Sequence, residues 1–199
     1  MKKLYITSAI CALLYISLIA IPASGQTGRQ TYTGTILSYG SGLDTRTRTS
    51  FFTITVNATT PDDRAGQFLK LLQDGGQDKL LDGIKNENLG SFSVDGHLAR
   101  TINVVRESNV DGKLRLYVVV ERWTQFAELR GGYRSLDYPF GFIELYIDPA
   151  TGKGEGTYIA AAQIRFKKEK QANGMHVEIE DFATFPARLL NVKVKTSSR

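Results

Sequence analysis

The chain has 199 residues, 25 Lys and Arg against 20 Asp and Glu, and a single cysteine. Its charges alternate in sign along the chain instead of gathering into a basic stripe, which argues against a nucleic-acid binder. The solitary Cys11 excludes a disulfide framework and a cysteine-based metal site, and a domain of this length can bury a core large enough to need neither.

Met1-Lys2-Lys3 leads into an apolar run from Leu4 to Ile21, closed by Pro22-Ala23-Ser24-Gly25. A positive head, an apolar middle and small residues before a cut are the parts of a secretory signal. Residues 1–25 therefore read as a signal peptide, with Gln26 as the expected mature N-terminus. Cys11 sits inside the run, not behind a small-residue box, so a lipoprotein is not indicated. An uncleaved anchor is the alternative, since the run is just long enough to cross a bilayer. Only then is a membrane a partner. Lys2 and Lys3 hold the N-terminus on the cytoplasmic side in either case, and the domain is expected to be exported, periplasmic or extracellular. Taking away the two signal lysines leaves 23 basic against 20 acidic residues, a net +3 typical of a solvated surface.

Residues 26–30 read as a loose leader, and 31–199 as a single β-rich domain with no repeat or dividing linker. Thr31–Tyr39 and Phe51–Asn57 are the first two strands. In the second, Phe52, Ile54 and Val56 share one face, the period of a half-buried strand. Asn57-Ala58-Thr59 fits a glycosylation sequon in a turn. Thr60-Pro61-Asp62-Asp63 then opens a helix, with Thr60 as N-cap and the acids facing the helix dipole. Ala65, Phe68, Leu69 and Leu72 form one apolar stripe. Gly75-Gly76 is expected to stop this helix and a second to run from Asp78 to Lys85, giving a two-helix insertion near residues 61–86.

From Ser91 onward the pattern is β again: SFSVDG, RTINVVR, KLRLYVVVERW, then a hairpin of FGFIELYID and GTYIAAAQIRFK around PATGKG, then MHVEIEDF and ARLLNVKVK. Lys193 and Lys195 in the last run read as charged guards on a sheet edge. The fold class is α+β, mainly antiparallel β, with about nine strands that curl into a barrel-like sheet or fold into a sandwich.

Chemistry-bearing residues are sparse. His97 sits in an Asp-Gly-His turn. His176, Glu178 and Glu180 share one face of a strand and are the one candidate metal set. Folding MHVEIED against the preceding strand instead sets bases such as Arg165 and Lys167 beside acids, and the apolar pair Val177 and Ile179 beside Ile164 and Phe166, which is ordinary cross-strand pairing. Glu121, Glu128, Glu144 and Glu155 are the carboxylates available for a glycoside-hydrolase pair, and no nucleophile elbow or phosphate loop is present. No cofactor is implied. The strongest candidate binding surface is the long connection after KLRLYVVVERW, which carries Trp123, Arg130, Tyr133, Arg134 and Tyr138, residue types that dominate interaction hot spots. The alternative there is that the aromatics are core and the arginines pin the loop. The expected function is a non-catalytic exported domain that binds a protein, a cell surface or another partner. The alternatives are a carrier of a small apolar ligand within the curved sheet, and a hydrolase using carboxylates or His176.

Overall fold

A computed structural model describes residues 28–40, 46–122, 134–168, 175–182 and 185–196. Nine strands run in chain order: β1 (Gln30–Ser38), β2 (Arg48–Val56), β3 (Gly90–Val94), β4 (Arg100–Val110), β5 (Lys113–Glu121), β6 (Phe140–Asp148), β7 (Lys153–Lys168), β8 (Met175–Asp181) and β9 (Ala187–Thr196). One helical segment, α1 (Asp62–Ile84), lies between β2 and β3, and a 3-10 turn (Arg134–Asp137) precedes β6. Every pairing is antiparallel. β1 to β7 pair in sequence, β7 pairs with β9, and β9 returns to β1, so eight strands close a barrel and β8 is an extra strand beside it.

The 16-residue β7 makes this closure. Along one edge it pairs with β6 from Lys153 to Ala162. Along the other, Lys153–Tyr158 pair with β9 and Ala162–Lys168 pair with β8. β9 is thus bonded on both sides. Lys193 is paired with both neighbours and stands on the outer wall of the closed sheet, not at an edge, whereas Lys195 lies past the last pairing with β7 and is bonded to β1 alone. β6 comes so close to β7 that a Cβ on Gly154 or Gly156 would fall about on a β6 carbonyl oxygen, 2.2 Å from Tyr146 and 2.0 Å from Glu144.

An eight-stranded barrel has an interior just wide enough for side chains to fill. Here Tyr32, Phe52, Ile54, Phe92, Val118, Leu145, Tyr158 and Leu189 belong to one continuous buried cluster, with Phe92 and Tyr158 edge to face at 5.2 Å. A second apolar cluster lies outside the barrel, where Phe68, Leu72, Leu80 and Ile84 of α1 cover Phe140, Phe142, Ala162 and Ile164 of β6 and β7. Burying each large side chain there stabilises the fold by about 1.5–3 kcal/mol.

The insertion is one kinked helical element, not two separately bounded helices. Gly76 alone leaves helical geometry (φ 71°, ψ −164°), so no loop intervenes. Straight, the 23 residues would span roughly 34 Å. Instead both ends are tied to neighbouring residues of β4. At the start, Thr60 is buried and does not cap the helix. Its N–H donates to Val105 O (2.8 Å) and its Oγ1 accepts from Val105 N (3.0 Å), while Arg106 donates to Thr60 O (2.9 Å) and pairs with Asp62 (2.7 Å). At the far end, the buried Asn103 amide donates to Ile84 O (3.1 Å) and Glu87 O (3.2 Å) and accepts from Glu121 N (2.9 Å). Asn103 lies where the β4–β5 register shifts, between Ile102 and Val104. Arg64 completes the clasp, meeting Glu87 at 2.6 Å.

Glu107 shares the inward parity of Val105 and stands opposite the buried Leu116. One of its carboxylate oxygens is buried without a hydrogen-bond partner among the described residues, and burial raises its pKa above the usual carboxylate range. Burial, followed by the charge of Glu107, also pushes the Tyr32 phenol well above the ordinary tyrosine value.

Two predictions follow from these local geometries. The dihedrals of Gly76 are essentially closed to other residues, so Gly76→Ala should destabilise the fold by about 1–3 kcal/mol in urea unfolding. Gly66→Ala on the open face of the same helix should instead stabilise by about 0.5–1 kcal/mol; equal effects would mean the kink carries no strain. For Glu107, the folded state holds its proton to higher pH than the unfolded chain, so stability falls as pH rises through the ordinary glutamate range. Glu107→Gln should raise the melting temperature at about pH 7 and leave it unchanged at about pH 3, where both side chains are neutral. A gain of the same size at both pH values would assign the effect to packing instead of charge.

Candidate functional site

Of the residues that the sequence nominates for binding, Trp123, Arg130 and Tyr133 lie outside the described residues, as does the side chain of Arg134, whose backbone opens the 3-10 turn. Tyr138 is only 5% exposed. Its hydroxyl donates to Glu180 Oε1 (2.8 Å), and its ring meets Phe182 edge-on at 5.1 Å. The described part of this connection is held by Arg122, which the sequence did not single out. Its guanidinium donates to Tyr138 O (3.0 Å) and Ser135 O (2.7 Å), and its N–H to Pro139 O (2.8 Å). Gln77, just past the kink of α1, donates to Asp137 O (2.9 Å).

The register of β7 and β8 sets Gln163 opposite Glu180, Arg165 opposite Glu178 and Lys167 opposite His176, with Ile164 against Ile179 and Phe166 against Val177. This is the cross-strand arrangement that the sequence suggested as the alternative to a metal set. Glu180 is engaged at both oxygens, by Tyr138 and by Arg165 (3.4 Å). The side chain of His176 lies outside the described ones. Among the described residues no group of three or more His, Cys, Asp or Glu gathers as a metal set would.

Of the remaining nominated carboxylates, Glu144 and Glu155 are held in pairs, and Glu121 is exposed at the end of β5. Glu144 accepts from Arg115 (2.6 Å) and from the Tyr146 hydroxyl (2.9 Å), with the Arg115 guanidinium 4.3 Å from the centre of the Tyr117 ring. Glu155 lies 3.7 Å from Arg188, and Glu128 is outside the described residues. His97 is exposed in its turn and donates its N–H to Val94 O (3.0 Å). Asn57 of the sequon is also exposed, at the end of β2. The Asp148-Pro149 turn closes as a side-chain turn, Asp148 accepting from Ala150 N (2.8 Å) and Thr151 Oγ1 (3.0 Å).

A groove of about 560 Å³ runs along the outer wall of the barrel beneath α1. One side is Ala65, Phe68, Leu69, Leu72, Leu80 and Ile84 of the helix. The other is Val104 of β4, Tyr117 and Val119 of β5, Phe142 of β6, Ile164 of β7, and Val177 and Ile179 of β8. Leu69 (49% exposed) and Val177 (39% exposed) stand at the mouth, on opposite walls, while Phe68, Leu72 and Ile164 line the depth. Arg106 and Ser108 mark one end. A concave, largely apolar volume of this size with a few polar groups at its ends is the usual form of a small-molecule site. The helical half was legible as the stripe Ala65, Phe68, Leu69, Leu72. The sheet half had a weaker signal: Leu116 to Val120 is apolar at every position, as in a strand covered on both faces.

Exposed aromatic residues form a second feature. Phe182 and Phe185 (65% exposed) flank the β8–β9 connection, and Phe185 meets the exposed Tyr39 edge-on at 6.4 Å. Among the described residues no helix is long and apolar enough to cross a membrane. The chain matches no protein-family model, no curated protein and no solved structure.

Proposed function

We propose that this chain is an exported, non-catalytic domain that binds an apolar small molecule in the groove between α1 and the outer wall of the barrel. The observation that carries the reading is the groove itself, apolar on both walls and of ligand size. The barrel interior is taken up by side chains, so a carrier role, which the sequence would place within the curved sheet, moves to the outside. Export rests on the N-terminal residues. The non-catalytic part rests on the carboxylates that are spent on arginine and tyrosine partners across the sheet.

A second reading, a partner or cell surface bound at the exposed aromatics, is favoured by Phe182, Phe185 and Tyr39. Large exposed apolar side chains grouped in one region mark interaction sites more often than chance. This region also joins the nominated loop, because Tyr138 packs on Phe182.

Two measurements separate these readings. Purified protein should bind the uncharged fluorescent probe N-phenyl-1-naphthylamine saturably, and Leu69→Glu and Val177→Glu should each weaken binding at least about tenfold by placing a charge at an apolar mouth. Both residues are well exposed, so the melting temperature should barely move. Unchanged affinity in both variants removes the groove from consideration. For the second reading, Phe185→Ser together with Phe182→Ser should reduce co-sedimentation with the envelopes of the exporting cells severalfold, while probe binding persists. Equal sedimentation of wild type and variant would dismiss it.

A further inference from the structure

Lys193 looks like an edge guard but has no edge to guard, because β9 is bonded there to both β1 and β7. Its partner across β7 is Lys153, so two lysines stand directly opposite each other on the outer wall. Both are exposed, while Val192, the residue before Lys193, belongs to the filled interior. Side chains so placed start about 5 Å apart at Cβ, and like charges there destabilise the sheet. Neither lysine has a carboxylate within 4.0 Å among the described residues. The nearby acids are engaged elsewhere. Asp148 stands opposite Lys153 on β6, but its oxygens accept from Ala150 N (2.8 Å) and Thr151 Oγ1 (3.0 Å) inside the hairpin turn. Glu155 lies 3.7 Å from Arg188.

The two lysines, with Asp148 and Glu155, border a recess of about 610 Å³ between the β6–β7 turn and β9, to which Lys113 and Asn191 also contribute. The Asn191 side chain is exposed and makes no hydrogen bond among the described residues. We propose that this recess binds a phosphoryl dianion, as inorganic phosphate or as a phosphate monoester, between Lys153 and Lys193. A dianion offsets both opposed charges at once, whereas a carboxylate offsets only one. Lysine serves phosphate as a point charge on a flexible stem, and an asparagine amide adds a neutral donor at the rim. The recess is larger than a bare phosphate, which leaves room for the organic part of an ester. No residue lines both this recess and the groove under α1, so the two sites stand or fall separately.

The test is isothermal titration of the purified protein with sodium phosphate, with glycerol 3-phosphate and with acetate. Ionic strength is held constant with sodium chloride, because salt alone screens two exposed lysines. A phosphate or its ester should bind saturably and at least about tenfold more tightly than acetate. Lys153→Gln and Lys193→Gln should each weaken that binding at least about fivefold. In phosphate-free buffer either substitution should raise the melting temperature by about 1–3 °C, because the opposition of like charges is gone. Vesicles of phosphatidylcholine with and without phosphatidic acid identify the source of the group. Lysine-dependent binding to the phosphatidic acid vesicles, with neither small phosphate bound, places it on a lipid; binding of the small phosphates places it on a soluble molecule. Acetate binding as tightly as phosphate, binding that survives in both variants, or no binding to any of the phosphoryl probes overturns the proposal. Variants no more stable than the wild type in phosphate-free buffer remove its premise and overturn it as well.

Discussion

The structure depends on one strand being longer than the barrel it closes. β7 has 16 residues, and the barrel needs only its first ten or so for pairing with β6 and β9. Its unpaired hydrogen-bonding groups beyond Ala162 would otherwise form a raw edge. The chain covers one side of that overhang by turning back as β8, so the last part of β7 and all of β8 make a two-stranded ribbon beyond the closed sheet. The ribbon has an apolar face, Ile164 and Phe166 with Val177 and Ile179, that cannot point into the filled barrel. It supplies the far wall of the groove. The place where a ligand could sit is therefore a by-product of how the barrel is sealed.

The near wall comes from α1, whose position is set by polar contacts, although its burial is apolar. Bonds from Thr60 to Val105 and Arg106 at one end, and from Asn103 to Ile84 and Glu87 at the other, tie it to three residues of β4 that lie within one four-residue stretch. A hydrophobic stripe is tolerant of sliding, whereas a buried amide satisfied by two carbonyls and one N–H is not. With both ends held so close together, the segment must bend, and the one residue that can adopt the required dihedrals without a steric penalty is Gly76. The register shift in β4 at Asn103 belongs to the same arrangement, because an irregular ladder frees that position to serve the helix.

Several features were readable directly from residues. The inward alternation of Phe52, Ile54 and Val56, the turn at Asp148-Pro149, and the setting of the β8 acids beside the β7 bases, apolar face against apolar face, all follow from local periodicity and turn chemistry. Other expectations failed for reasons that are themselves local in origin. Thr60 has the sequence context of an N-cap, yet its hydroxyl bonds a strand N–H brought in from 45 residues away. Lys193 looks like an edge guard because a strand's neighbours cannot be counted from its own composition. Gly75-Gly76 reads as a stop between two helices, and helical geometry does break at Gly76, but as a kink with no loop between the arms.

By itself the sequence determined the elements: an N-terminal segment with the pattern of an export signal, nine strands with a helical insertion after the second, and the faces that each element must bury. Hydrophobic period, turn residues and helix signals are properties of a few neighbouring residues, so they survive without any knowledge of the rest. Only the tertiary structure decided that the sheet closes, that β9 and not β8 seals it, and that the apolar residues of α1, β5 and the β7–β8 ribbon face one another across a groove. Those outcomes depend on which distant backbone groups find each other in space, and that information is spread over pairings as remote as β1 with β9.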